Sequence, residues 1–162
     1  MCSSDLGNAF RTLTETVELS KAVAAALAKI DLKETLVIVT ADHSHGLVLS
    51  GYPSRNAPIL GLADEASAPN REPVKASDGK PYTILSFATG PGGPEGDEAR
   101  PDLSKIDTQD PDYRQQATVP VPYAAHSGED VAIFAGGPQA HLFHGVVEES
   151  YIFQVMRHAL GL

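Results

Sequence analysis

Five consecutive residues, Leu36-Val37-Ile38-Val39-Thr40, are apolar or β-branched without a break. The run is too short and too uniform for a helix face, and it lacks the alternation of a strand with one wet side. It therefore reads as a strand buried on both faces. Such a strand needs a layer above it and a layer below, which directs the chain toward an α/β architecture. No uncharged apolar run in the 162 residues approaches the length of a bilayer span.

The flanking sequence agrees with that class. Residues 8–29 read as an amphipathic helix, with Phe10, Leu13, Val17, Ala24 and Leu27 near one face and Arg11, Glu15, Glu18 and Lys21 away from it. Asn8 is placed to cap its start. Residues 131–135, Val-Ala-Ile-Phe-Ala, form a second buried-strand candidate. Residues 148–160 close the chain as a helix with Tyr151, Ile152, Val155, Met156 and Leu160 facing inward, ended by Gly161. Between residues 51 and 121 the texture changes, because Pro and Gly recur and periodicity fades; only residues 82–88 read as a strand there. A loop-rich stretch of that length inside a compact fold is expected to be an inserted subdomain.

Charge excludes one class of partner. Lys and Arg number 12 against 21 Asp and Glu, a formal net charge of −9, so no broad basic face is available for nucleic acid. An acidic chain that handles a phosphoester needs metal ions or localised cations to offset repulsion. The single cysteine, Cys2, cannot form an internal disulfide and leaves the redox compartment open. Residues 1–6, Met-Cys-Ser-Ser-Asp-Leu, show neither the basic nor the apolar region of a signal peptide. They resemble translated adapter sequence, which makes Gly7 the expected first natural residue.

The residues able to do chemistry lie beside the two strand candidates. Asp42 and His43 follow the first strand at its carboxyl end, where ligands gather in open α/β sheets. A carboxylate next to an imidazole suits zinc when further ligands arrive from elsewhere in the chain. From the dipeptide alone, a turn-capping Asp and an ordinary half-buried His is the favoured reading. His126, before Ser127, Gly128, Glu129 and Asp130, has the same double reading as ligand or polar turn residue. His45 alternates with His43, so on an extended chain it points to the opposite side and stays outside direct metal contact. His141 and His144 flank Leu142 and Phe143 and are assigned to packing. Ser127 lacks the Gly-x-Ser-x-Gly elbow of a hydrolytic serine, and no candidate nucleophile in the chain is convincing.

Several longer motifs point to one family. Residues 35–45 (Thr-Leu-Val-Ile-Val-Thr-Ala-Asp-His-Ser-His), 51–53 (Gly-Tyr-Pro), 113–116 (Tyr-Arg-Gln-Gln), 126–135 (His-Ser-Gly-Glu-Asp-Val-Ala-Ile-Phe-Ala) and 137–146 (Gly-Pro-Gln-Ala-His-Leu-Phe-His-Gly-Val) closely resemble the C-terminal third of alkaline phosphatases. Residues 9–16 are similar to the helix that precedes the strand in that family, and Ala159-Leu160-Gly161-Leu162 to the endings of bacterial members. The resemblance runs in order from Gly7 onward.

The resemblance implies part of a three-layer α/β/α sandwich with a mostly parallel central sheet, plus a loop-rich inserted subdomain. Its expected divisions are a leader at 1–6, core at 7–50, a crown-like insertion at 51–125 that rims the active-site entrance, and core again at 126–162. It implies a phosphomonoester hydrolase with two zinc ions and one magnesium ion, acting through a phosphorylated serine. Asp42 and His43 are then ligands of the zinc that activates this serine, and His126 a ligand of the other zinc. Thr40, His45, Ser127, Gly128 and Glu129 are expected around these ligands without binding metal themselves. The nucleophilic serine and most magnesium ligands belong upstream of Gly7, so this chain holds no catalytic nucleophile and is expected to be inactive alone. The complete protein is expected to be a homodimer in the periplasm, secreted or at the cell surface. A phosphodiesterase or sulfatase of the same superfamily, or a non-catalytic metal-binding module, are the alternatives.

Overall fold

A computed structural model describes residues 3–67 and 70–162; Cys2 lies outside the described residues. Helix α1 (Ala9–Leu27) is followed by β1 (Val37–Val39), β2 (Leu47–Leu49), β3 (Leu85–Gly90), β4 (Ala117–Pro120), β5 (Phe134–Gly136) and helix α2 (Tyr151–Ala159). The chain is thus mixed α/β. It divides into two units: Met1–Val17 with His45–Ser127, and Glu18–Ser44 with Gly128–Leu162.

The first unit is built on a three-stranded sheet in the order β2-β3-β4, with β2 antiparallel and β4 parallel to β3. Central strand β3 supplies Leu85 and Phe87, each 1% exposed, which pack with Ala9, Ala117 and the half-buried Leu13 and Leu60. Ala63, Ile84, Leu103 and Ala124 are also buried here. The loops carry short antiparallel bridges, Leu62 with Thr83, Asp64 with Pro73 and Lys75 with Pro81. Arg100 ties them together: its guanidinium donates to both Asp78 carboxylate oxygens, to the Lys80 and Pro81 carbonyls and to Gln116 Oε1. The Pro- and Gly-rich texture therefore folds into a cored structure. Strands β2 and β4 escape a periodicity search because each is only three or four residues long.

The start of α1 belongs to this unit. Asn8 caps the helix, its Oδ1 accepting from Arg11 N at 2.9 Å, while its Nδ2 donates to the Pro111 carbonyl at 2.8 Å. Gln115 N donates to the Gly7 carbonyl at 2.8 Å, and Arg11 pairs with Asp112. The cap expected of Asn8 is thus present, and its other end anchors the 111–115 loop.

In the second unit β1 pairs antiparallel with β5, Ile38 opposite Ala135. Two expectations are corrected here. Of the three strand pairings among the described residues only β3 with β4 is parallel, whereas a mostly parallel sheet was expected; a continuous apolar run reports burial and says nothing of strand direction. Strand β1 is half-buried and Phe134 of β5 is 68% exposed, because two strands cannot cover both of their own faces. The second strand also begins at Phe134, three residues later than expected. Gly137, at φ +98°, lets the chain leave β5 against β1: a Cβ there would stand 2.0 Å from the Thr35 carbonyl oxygen. Helix α2 buries Val155 and half-buries Tyr151 and Ile152, but Met156 and Leu160, expected inside, are 42% and 72% exposed. Tyr151 meets Phe143 edge-on with ring centroids 6.3 Å apart. Gly161 ends the helix at φ +70°, as expected. His141 and His144 are exposed, not core residues, since Leu142 and Phe143 take the half-buried positions between them.

Candidate metal centre

In the second unit, the chain bends at Asp42, just past the end of β1. Thr40 Oγ1 fixes this exit by donating to the Ala132 carbonyl at 3.1 Å, which links the end of β1 to the approach of β5. His43 Nδ1 lies 3.0 Å from the Ser44 carbonyl oxygen. A carbonyl only accepts, so the proton belongs on Nδ1 and the lone pair is left on Nε2. That Nε2 is 3.4 Å from Asp42 Oδ2. Two ligands at 2.0–2.2 Å on one tetrahedral zinc stand about 3.3–3.5 Å apart, so the pair fits a shared ion. Asp42 is well exposed, at 80% of its side chain, and His43 is at 32%, which keeps both open to further ligands. Gly128 and Glu129, also of this unit, are exposed.

In the first unit, His126 is exposed at the end of a segment hung from β3. Ala125 N donates to Thr89 Oγ1 at 2.7 Å, and Ala124 N to the Asp5 carbonyl at 2.8 Å. His45 is 12% exposed, and its ring lies 5.2 Å from that of His126. Gly46 makes this packing possible: at φ +64°, its carbonyl accepts from Ala88 N at 2.8 Å, and an added Cβ would meet Ala88 Cβ at 3.2 Å. Ser127 Oγ, 3.7 Å from that Cβ position, is buried with no hydrogen-bond partner among the described residues.

One neighbour escaped sequence reasoning. Asp5 Oδ1 lies 3.2 Å from His45 Nε2. Nothing in periodicity or motif pointed to it, since it sits in the six residues read as a leader.

Residues 3–162 match the alkaline phosphatase family model. The chain belongs to the alkaline phosphatase family. It is 42% identical over 153 residues to the mouse tissue-nonspecific alkaline phosphatase isozyme, covering 94% of this chain and 28% of that protein. The rat and chicken tissue-nonspecific alkaline phosphatases are 41% and 42% identical over the same coverage. The chain thus spans 28% of the length of these alkaline phosphatase relatives. No helix among the described residues is long and apolar enough to cross a membrane.

Proposed function

We propose that the complete protein carrying this chain is an alkaline phosphatase that hydrolyses phosphomonoesters through a phosphoserine intermediate, with two zinc ions and one magnesium ion. The observation that carries the reading is the Asp42–His43 pair, whose two donor atoms stand 3.4 Å apart at the end of β1 in a member of this family. Bound zinc lowers the pKa of a hydroxyl or water and offsets charge on the transferring phosphoryl group. Asp42 supplies a carboxylate oxygen and His43 its Nε2, oriented by the Nδ1 contact to Ser44. His126 supplies an imidazole to the other zinc. Thr40 holds the strand exit from which Asp42 projects, and Ser127, Gly128 and Glu129 carry the chain from His126 toward β5.

In this reading residues 7–50 and 126–162 belong to a three-layer α/β/α sandwich, and residues 51–125 form a crown-like insertion at the active-site entrance. The serine nucleophile and the remaining metal ligands come from upstream sequence, and the complete protein acts as a homodimer outside the cytoplasm. An N-terminally extended protein should hydrolyse p-nitrophenyl phosphate at alkaline pH in a zinc-dependent manner. Asp42→Ala or His126→Ala should reduce turnover to the level of the no-enzyme control, and residues 1–162 alone should be inactive. Turnover by residues 1–162 alone contradicts an upstream nucleophile, and full turnover by the extended variants contradicts the ligand roles.

A further inference from the structure

Strands β3 and β4 have a second face that the apolar core of the first unit does not use. Leu85, Phe87 and Ala117 pack into that core, so the alternating Ser86, Gln116 and Thr118 stand on the opposite side of the sheet. These three line a cavity of about 320 Å³, to whose wall Ser50 and Tyr82 add two more hydroxyls. Small-molecule sites run from about 300 to 1,000 Å³, so this one suits a small ligand. Among the lining residues only Arg100 is charged. All five of its N–H donors are engaged: Nε and Nη2 on the Asp78 carboxylate, Nη2 also on the Lys80 carbonyl, and Nη1 on the Pro81 carbonyl and Gln116 Oε1. With its charge matched by Asp78 and no donor left over, Arg100 gives no grip to a phosphate or carboxylate. Its bond to Oε1 fixes the Gln116 amide, whose Nε2 is buried with no hydrogen-bond partner among the described residues. A buried donor without an acceptor is costly, and a ligand oxygen would satisfy it.

We propose that this cavity binds an uncharged polyhydroxyl compound, a free monosaccharide or cyclic polyol, through Ser50, Tyr82, Ser86, Gln116 and Thr118. A hydroxyl both donates and accepts, so a wall of hydroxyls with one carboxamide complements a ligand that is itself built of hydroxyls. Tyr82 and Pro94 supply apolar surface against which the C–H face of a ring can pack. The neutral wall selects against the acid or phosphate form of the same sugar. This site draws on none of the residues read as metal ligands and does not depend on phosphoester hydrolysis.

The test is saturation-transfer NMR on the N-terminally extended protein, with D-glucose, D-galactose, D-mannose and myo-inositol as probes and D-gluconate as the charged counterpart. At least one neutral probe should receive saturation, inorganic phosphate should not displace it, and gluconate should bind more weakly than glucose. Ser86→Leu, which fills the cavity, should abolish the signal. Gln116→Leu and Thr118→Val should each weaken binding roughly five- to tenfold, the loss of one hydrogen bond. Circular dichroism checks that each variant is folded, and the near-isosteric Thr118→Val reads the site with the least disturbance. The inference is wrong if no neutral probe binds, if phosphate displaces the bound probe, or if gluconate binds as tightly as glucose. Unchanged binding in the folded Gln116→Leu and Thr118→Val variants would equally overturn it.

Discussion

Phe87 and Phe134 are both strand phenylalanines, in β3 and β5, yet one is 1% exposed and the other 68%. Phe87 sits in the loop-rich first unit and Phe134 in the second, where the sequence pattern was most regular. The first unit contributes Ala9, Ala63, Ile84, Leu85, Phe87, Leu103, Ala117 and Ala124 to the buried apolar set; among the described residues the second contributes only Val155. Regular hydrophobic patterning marks surfaces that want to be covered, and it does not say that the same chain covers them. The loop-rich unit instead closes on a short sheet and on Arg100, which spends its guanidinium donors on Asp78, two carbonyls and Gln116.

The largest expected effect is at Phe87. Phe87→Ala should cost about 3–5 kcal/mol in denaturant unfolding of the first unit, the range for emptying a packed aromatic site. Arg100→Ala should come next, at about 2 kcal/mol, because several carbonyl and carboxylate acceptors lose a charged donor at once. Acid should act more mildly and on the same unit. The Arg100 guanidinium, followed by the Lys80 backbone N–H, holds Asp78 below the ordinary aspartate value of 3.8. Asp64 is lowered chiefly by the Ser54 backbone N–H, and Asp102 by the Ser104 hydroxyl. A carboxyl whose folded pKa is depressed adds stability above its unfolded pKa and loses it as pH falls through the folded value. Stability of the first unit should therefore be insensitive to these groups near neutrality and decline below about pH 3.8, with a shallower decline in Asp78→Asn. The smallest effect is at Phe134: Phe134→Ala should stay within about 0.5 kcal/mol, as an exposed substitution does. Equal costs at Phe87 and Phe134 would break the comparison between the two units.

Much of this was legible in the sequence. The helix over Ala9–Leu27 and its Asn8 cap, the strand at Val37–Val39 and the helix ended by Gly161 follow from period, cap and breaker chemistry. Strand direction was not legible, since Leu36 to Thr40 looks the same whichever way its neighbour runs. Nor were β2 and β4, whose pairing is set by loops that bring distant residues together, as Phe87 opposite Ala117. At the candidate site, the place of Asp42 and His43 after a strand favoured no more than a turn-capping Asp and an ordinary His, and only the longer motifs pointed to metal ligands there and at His126. The contact between Asp5 and His45 joins residues 40 positions apart and leaves no local trace.

The most direct test of the central claim, that this chain carries zinc ligands of an alkaline phosphatase, is the metal content of the N-terminally extended protein by mass spectrometry under native conditions. The account predicts that Asp42→Ala and His126→Ala each lose zinc relative to the unmodified protein, and that the double variant loses more than either alone. Undiminished zinc in both single variants, with the fold intact, would contradict it.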